Sequence, residues 1–315
     1  EVLLGIEEAL ADLSGASVIA LGPADIVRPF SERFPLVRAV ACSEVIAMDE
    51  HPATAVRQKR DSSVVVGARL LKEGQADAFF SAGSTGAVMA AATLVTGRIH
   101  GVSRPAIATV LPTQGRPFVL IDAGATTDCT PPILAQFALM GSSYSRVILG
   151  RAAPVVGLLS IGGEDSKGNE VTKEAFRLLA ASALNFRGNV EGHDLFVGET
   201  DVVVCDGFIG NVVLKTSESV AHAVGHWMKQ EFRRNPLRLF GALLLRGALR
   251  TMKRRMDPEL YGGAPLLGVN GICIITHGAS SWRAIFHAVR VACEAVEQKL
   301  NATITEELRK TSAKA

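Results

Sequence analysis

The sequence predicts an α/β protein built on a doubly wound, mostly parallel sheet within one domain, residues 1–315. Three observations carry this. Short apolar or β-branched runs alternate along the chain with longer amphipathic stretches, the pattern of strand–helix–strand units. Glycine reaches 30 residues while aromatic residues are only 5%, which suits many tight strand-to-helix turns better than a β-sandwich. Hydrophobic residues make up 48% and charged residues 20%, enough for a chain of 315 residues to bury a large core.

In chain order, the strand candidates are Ser17–Leu21, Ala76–Phe80, Phe118–Ile121, Val155–Ile161, Val202–Cys205 and Ile272–Ile275. The helical patterns between them are Ala53–Glu73, Thr85–Thr96, Pro131–Leu149, Glu170–Leu184 and Asn211–Phe232. No repeat and no low-complexity linker divides the chain. The formal net charge of +2 calls for no nucleic-acid partner. The apolar runs around Leu239–Leu245 and Ala87–Val95 fall short of the roughly 18 residues a spanning helix needs. With no signal-peptide pattern, a cytoplasmic protein is expected. Cys42, Cys129, Cys205, Cys273 and Cys293 show no metal-ligand spacing and read as reduced thiols, and the seven histidines are scattered, so neither a metal nor a cofactor is expected.

Chemistry in doubly wound folds gathers at the carboxyl ends of strands. Three loops there are rich in Gly and small polar residues. Ser81-Ala82-Gly83-Ser84-Thr85-Gly86 leads into an Ala-rich helix, so its glycines and free helix-start N–H groups suit an anion, or simply a tight turn with a Ser cap. Asp206-Gly207-Phe208-Ile209-Gly210-Asn211 precedes a helix carrying Lys215. Leu214 stands where a Walker A loop needs Gly, and GxGxxG is absent, which disfavours a P-loop NTPase and a standard dinucleotide site. The third loop, Gly162 to Glu170, contains Lys167 and Asn169 and by itself reads as a solvated turn. Ala82-Gly83-Ser84-Thr85-Gly86 also nears the G-x-S-x-G elbow, so a serine esterase or thioesterase using Ser84, with His277 and an Asp as partners, is the rival enzyme.

Ordered blocks extend across about 44–293. Met48-Asp49-Glu50-His51-Pro52, Lys59-Arg60-Asp61-Ser62-Ser63, Ser81 to Ala87, Leu111-Pro112-Thr113, Asp122-Ala123-Gly124-Ala125, Met140-Gly141-Ser142 and Lys167-Gly168-Asn169-Glu170 are followed by Gly188 to Gly192, Asp206-Gly207-Phe208 and Tyr261 to Gly268. Together they resemble the PlsX-like phosphate acyltransferases. The resemblance implies a homodimeric, peripheral enzyme of phospholipid synthesis, with a fold similar to isocitrate and isopropylmalate dehydrogenases. It would move a long-chain acyl group from acyl carrier protein to inorganic phosphate. Two departures stand out. The family usually opens with a strand and an Asp-Ala-Met-Gly-Gly-Asp stretch, and this sequence starts after it. It also commonly carries Asn where Ser84 stands, which favours a backbone cradle over a covalent serine.

Phosphate is already nucleophilic near neutral pH, so the enzyme must mainly supply position and charge management. The phosphate-binding set is Ser81, Gly83, Ser84, Thr85 and Gly86. The catalytic set is Lys167, Asn169, Asp206, Asn211, Lys215 and His277: the lysines neutralise phosphate, Asn169, Asn211 or His277 serve the carbonyl oxygen or leaving thiolate, and Asp206, like Asp122, orients. Pro236–Met256, within a projecting segment of about 232–258, reads as a basic two-faced helix. Leu244 and Ala248 share its apolar face; Arg250, Lys253 and Arg254 lie opposite. The expectation is weak contact with an anionic membrane or with acidic acyl carrier protein, against an ordinary packed or dimer-forming helix. A non-catalytic carrier-protein or lipid-surface binding module is the third class kept open.

Overall fold

A computed structural model describes residues 1–12, 15–255, 258–278 and 280–312. Among them the strands form one eight-stranded sheet and a separate pair, β1 (Val18–Gly22) with β2 (Val37–Ala41). The large sheet contains β3 (Ala78–Ser81), β4 (Ala106–Leu111), β5 (Phe118–Ile121), β6 (Val155–Leu159), β7 (Asn185–Val190), β8 (Val202–Val204), β9 (Ala264–Leu267) and β10 (Ile272–Ile275), in the order β3-β10-β9-β4-β5-β8-β6-β7. Four of its seven pairings are parallel, as is the separate β1–β2 pair. The three antiparallel ones sit together at β10–β9, β9–β4 and β4–β5. The expected α/β sheet is therefore mostly parallel, but its two parallel groups run in opposite senses, a reversal that the strand–helix pattern did not predict.

The central strands are apolar on both faces because helices cover both. Ala106, Ala108, Val119, Ile121, Val202 and Val204 face one core with α6 (Pro131–Ile148), α7 (Glu170–Ala180), α11 (Trp282–Glu297) and α12 (Leu300–Ser312). Their alternate neighbours face the other side. Ile107, Leu266 and Cys273 lie under α4 (Ser63–Lys72) and α5 (Thr85–Ala91), and Phe118, Leu120 and Val203 form an adjoining cluster. Leu214, on α8 (Gly207–Arg233), packs against both of these clusters and bridges them. The period of two is what lets each strand serve both layers. The β1–β2 pair packs with α1 (Val2–Asp12), α2 (Ala24–Arg33) and Ile285 of α11.

Several boundaries differ from expectation. The helical pattern 53–73 is two helices, α3 (Pro52–Gln58) and α4, because Lys59 and Asp61 turn away to bind the preceding loop. Thr85–Thr96 is α-helical only to Ala91 and ends in a wider π turn over Ala92–Thr96. The strand expected to reach Ile161 stops at Leu159. The helix expected from Asn211 starts four residues earlier, at Gly207. Pro236–Met256 is not one helix: α9 (Pro236–Leu244) and α10 (Arg246–Arg255) break at Leu245, between Gly241 and Gly247, both poor helix formers. Met256 and the Lys253 side chain lie outside the described residues. No helix among the described residues is long and apolar enough to cross a membrane.

Candidate active site

The Ser81–Gly86 loop begins where β3 ends. Gly83 N–H donates to Ser81 Oγ at 3.1 Å, and Ser84 caps α5, its Oγ accepting from Ala87 N–H at 3.4 Å. Gly86 has a packing reason: a Cβ there would come within 2.7 Å of Pro52 Cγ, at the start of α3. Pro52 is held there by its own loop. Lys59 Nζ donates to Val45 O at 2.7 Å and to Glu50 Oε1 at 2.6 Å, a bond that holds the Glu50 carboxyl below its ordinary pKa. The neighbouring strand β10 brings the His277 loop alongside, with Thr276 N–H donating to Ser81 O at 2.9 Å. His277 N–H donates to Ser280 Oγ at 3.1 Å.

The second group is organised by Asp122, which is fully buried. Its Oδ1 accepts N–H bonds from Ile107 (2.8 Å), Gly124 (3.1 Å) and Ala125 (2.9 Å), and its Oδ2 accepts from Thr126 at 2.6 Å. Burial pushes this carboxyl above its ordinary pKa, and the backbone donors oppose that rise. The start of α8 lies directly on the loop. A Cβ at Gly210 would stand 1.8 Å from Asp122 O, and one at Gly207 would stand 2.6 Å from Oδ2. The Gly-x-x-Gly spacing after Asp206 thus presents a bare helix face, one turn apart, to a buried carboxylate loop. Asp206 caps α8, accepting Ile209 N–H at 2.8 Å, and Asn211 Cβ would lie 3.6 Å from a Cβ at Gly124.

The third loop is built the same way. Asn169 Oδ1 caps α7 through Thr172 N–H at 2.9 Å. Gly168, at φ +109°, is obligatory twice over, since a Cβ there would be 2.2 Å from Thr172 Oγ1. Lys167 is exposed beside it. Asn169 and Asp206 line one cavity of about 270 Å³, floored by Leu134, Leu158 and Leu159 and edged by Thr127. It opens at the carboxyl ends of the parallel neighbours β5, β8 and β6, the position where such folds keep ligands. Cys129 and Cys205 also line it, but burial raises both thiols, that of Cys129 to about 12, so neither is a ready nucleophile.

The structure therefore sorts the expected residues into two groups. Asn169 and Asp206 share a cavity, with Lys167 and Asn211 on the loops around it. Ser81, Gly83, Ser84, Thr85, Gly86 and His277 stand at the ends of β3 and β10, which run opposite to β5, β8 and β6. The link between them is apolar: Ala87 and Val88 of α5 share a cluster with Ala123, and Ala125 and Leu214 pack against it. Lys215, one residue beyond Leu214, is exposed and paired with Glu218 at 2.9 Å. Gly207, Gly210 and the cavity residue Ile209 were missed as individual contributors; the Gly-x-x-Gly spacing was the available signal.

A family model described as "Fatty acid synthesis protein" matches residues 1–303. The chain belongs to that family. It is 51% identical over 300 residues to a phosphate acyltransferase of Desulfitobacterium hafniense, covering 94% of this chain and 90% of that one. It is 48% identical over 311 residues to one from Desulforamulus reducens, covering 98% and 93%. The fold is shared with a phosphotransacetylase from Streptococcus pyogenes, at a TM-score of 0.59 and 16% identity over 93% of this chain and 98% of that one. A branched-chain phosphotransacylase from Enterococcus faecalis is similar at a TM-score of 0.55 and 16% identity, over 93% and 94%. The resemblance read from the ordered motifs holds, and this family member is an acyltransferase enzyme.

Proposed function

We propose that the protein transfers a long-chain fatty acyl group from acyl carrier protein to inorganic phosphate, supplying acyl phosphate for phospholipid synthesis. The observation that supports this most is the joining of the Lys167–Asn169 and Asp206–Asn211 loops around one cavity, in a chain about half identical to phosphate acyltransferases. In this reading a phosphate oxygen attacks the thioester carbonyl, the C–S bond breaks, and the thiolate leaves on the carrier arm. Lys167 and Lys215 balance phosphate charge, Asn169, Asn211 or His277 donates to the carbonyl oxygen, and Asp206 with Asp122 holds the loops. The Ser81–Gly86 backbone is the phosphate cradle of this scheme. Kinship with isocitrate and isopropylmalate dehydrogenases, a homodimer and a cytoplasmic location belong to the same reading. Thiol release from long-chain acyl carrier protein is expected to require phosphate; equal release without phosphate would make the enzyme a thioesterase. The Ser84 esterase is the weaker reading, because Ser84 Oγ serves as a helix cap, and a fluorophosphonate that labels Ser84 would revive it.

Peripheral contact with anionic membrane is part of the proposal and rests on α9 and α10. Leu237, Leu243 and Leu244 are 80%, 63% and 72% exposed, next to exposed Ala248, Arg250 and Arg254. Large exposed apolar patches mark interaction surfaces. Because Leu244 is so exposed, Leu244→Glu is expected to keep wild-type stability within about 0.5 kcal/mol. Sedimentation with phosphatidylglycerol liposomes should fall for Leu244→Glu and for Arg250→Glu/Lys253→Glu, and fall with salt in the wild type. Unchanged sedimentation of both would leave this surface to a second copy or to carrier protein.

A further inference from the structure

The cavity between α6, α7 and α8 has a lining that does not match phosphate. Among the described residues it presents no Lys or Arg, yet it holds the carboxylates of Asp128 and Asp206. Three helix starts converge there, at Thr130, Asn169 and Asp206, but the Asn169 and Asp206 side chains already accept helix N–H groups, and the carboxylates offset the positive helix ends. An anion would meet like charge.

A neutral chain carrying amides is matched at each level. The floor of Leu134, Leu158 and Leu159 takes methylene and methyl groups. Asn169 uses its Oδ1 as a cap, which leaves the Nδ2 amide as a donor. Asp206 uses Oδ1 as a cap, which leaves Oδ2 as an acceptor. One donor and one acceptor in a cavity whose lining mixes polar and apolar side chains are the complement of a secondary amide, with its C=O and N–H on opposite sides. At about 270 Å³ the cavity falls just under the roughly 300–1,000 Å³ of small-molecule sites, so it suits a slender chain segment and not a long acyl tail together with its carrier.

We infer that this cavity receives the pantetheine arm of the acyl donor, with its amides between Asn169 and Asp206 and the thioester leading out toward Asn211. The assignment rests on the thioester-donor reading above. It separates the two substrates in space: the arm enters at the carboxyl ends of β5, β8 and β6, and phosphate is held outside this slot. The cavity thereby becomes the determinant that selects pantetheine thioesters over short thioesters of the same acid.

The test compares one acyl group on two carriers, pantetheine and N-acetylcysteamine, at saturating phosphate. Wild-type kcat/KM should favour the pantetheine thioester by roughly tenfold or more, since sites built to hydrogen-bond a group reject analogues lacking it. Ile209→Trp fills the slot from the first turn of α8, and Thr127→Trp fills it from the loop before α6. Both should collapse that preference roughly tenfold while the KM for phosphate stays put. Should either raise the KM for phosphate and keep the donor preference, the cavity is an anion site and the inference is overturned. Equal use of both donors by the wild type overturns it without any variant. If the wild type turns over neither donor with phosphate, the thioester reading fails, and calorimetry with free pantetheine then decides for the cavity itself. Saturable binding lost in Ile209→Trp supports it; no binding refutes it.

Discussion

Gly210→Ala is expected to destabilise the protein by about 3 kcal/mol, at the upper end of the usual cost of overpacking. The Cβ would stand 1.8 Å from the Asp122 carbonyl oxygen; its position is fixed by the backbone and the atom it meets is backbone, so no flexible side chain can swing away. At roughly 2–4 °C per kcal/mol the melting temperature should fall by about 6–12 °C. Turnover should fall with it, because relieving the clash lifts the first turn of α8 and carries Asp206 and Asn211 off the Asp122 loop. Gly225→Ala on the same helix is the control. Nothing lies within 4 Å of its Cβ, so alanine there should raise stability by roughly 0.5–1 kcal/mol through helix propensity. Two variants that melt alike would mean that α8 does not sit on the loop as described.

Asp122→Asn should be nearly as costly. Both carboxylate oxygens accept backbone N–H groups, so any amide orientation turns an NH₂ against at least one buried donor. One or two donors left unpaired in the interior correspond to about 2–4 kcal/mol. The pH dependence has a definite sign. Burial raises the native Asp122 carboxyl above its ordinary value of 3.8, so the folded protein holds that proton more tightly than the unfolded chain does. Stability from this group is therefore fully present below the ordinary value and declines as pH rises through the raised one. The variant lacks this group, so the wild-type advantage should shrink between the ordinary and the raised value and then stay constant. Denaturant unfolding of both proteins across that range measures it. An advantage that grows with pH would mean that the N–H donors outweigh burial and hold the carboxyl ionised.

Both variants act through a contact that composition and periodicity do not reveal. The glycines at 207 and 210 were legible as a loop leading into a helix, but their spacing has meaning only against Asp122, which is remote in sequence. The strands that escaped notice are instructive too. β9 contains Pro265, which lacks an N–H and ordinarily argues against a central strand, yet it lies in register with Ile274 between β10 and β4. β7 carries Asn185, Arg187 and Asn189 among its residues and lies at the sheet edge, where alternation is diluted. The two-helix reading of 52–72 was hidden because Lys59 and Asp61 suit a helix surface and leave it only to bind Glu50, Val45 and Ser43.

The class of the fold, the Gly-rich strand ends and the family are legible in the residues alone, since ordered motif blocks are local. The apolar runs also marked out Phe118–Ile121 and Ile272–Ile275 to the residue, because strands buried on both faces cannot carry polar side chains. Only packing between distant segments sets the two parallel groups against each other, so that the Ser81 and Asp206 loops, each at the carboxyl end of its strand, leave strands that point in opposite directions. Strand direction within a sheet depends on which strands become neighbours. That choice is made by packing between segments far apart in sequence, where no periodicity records it.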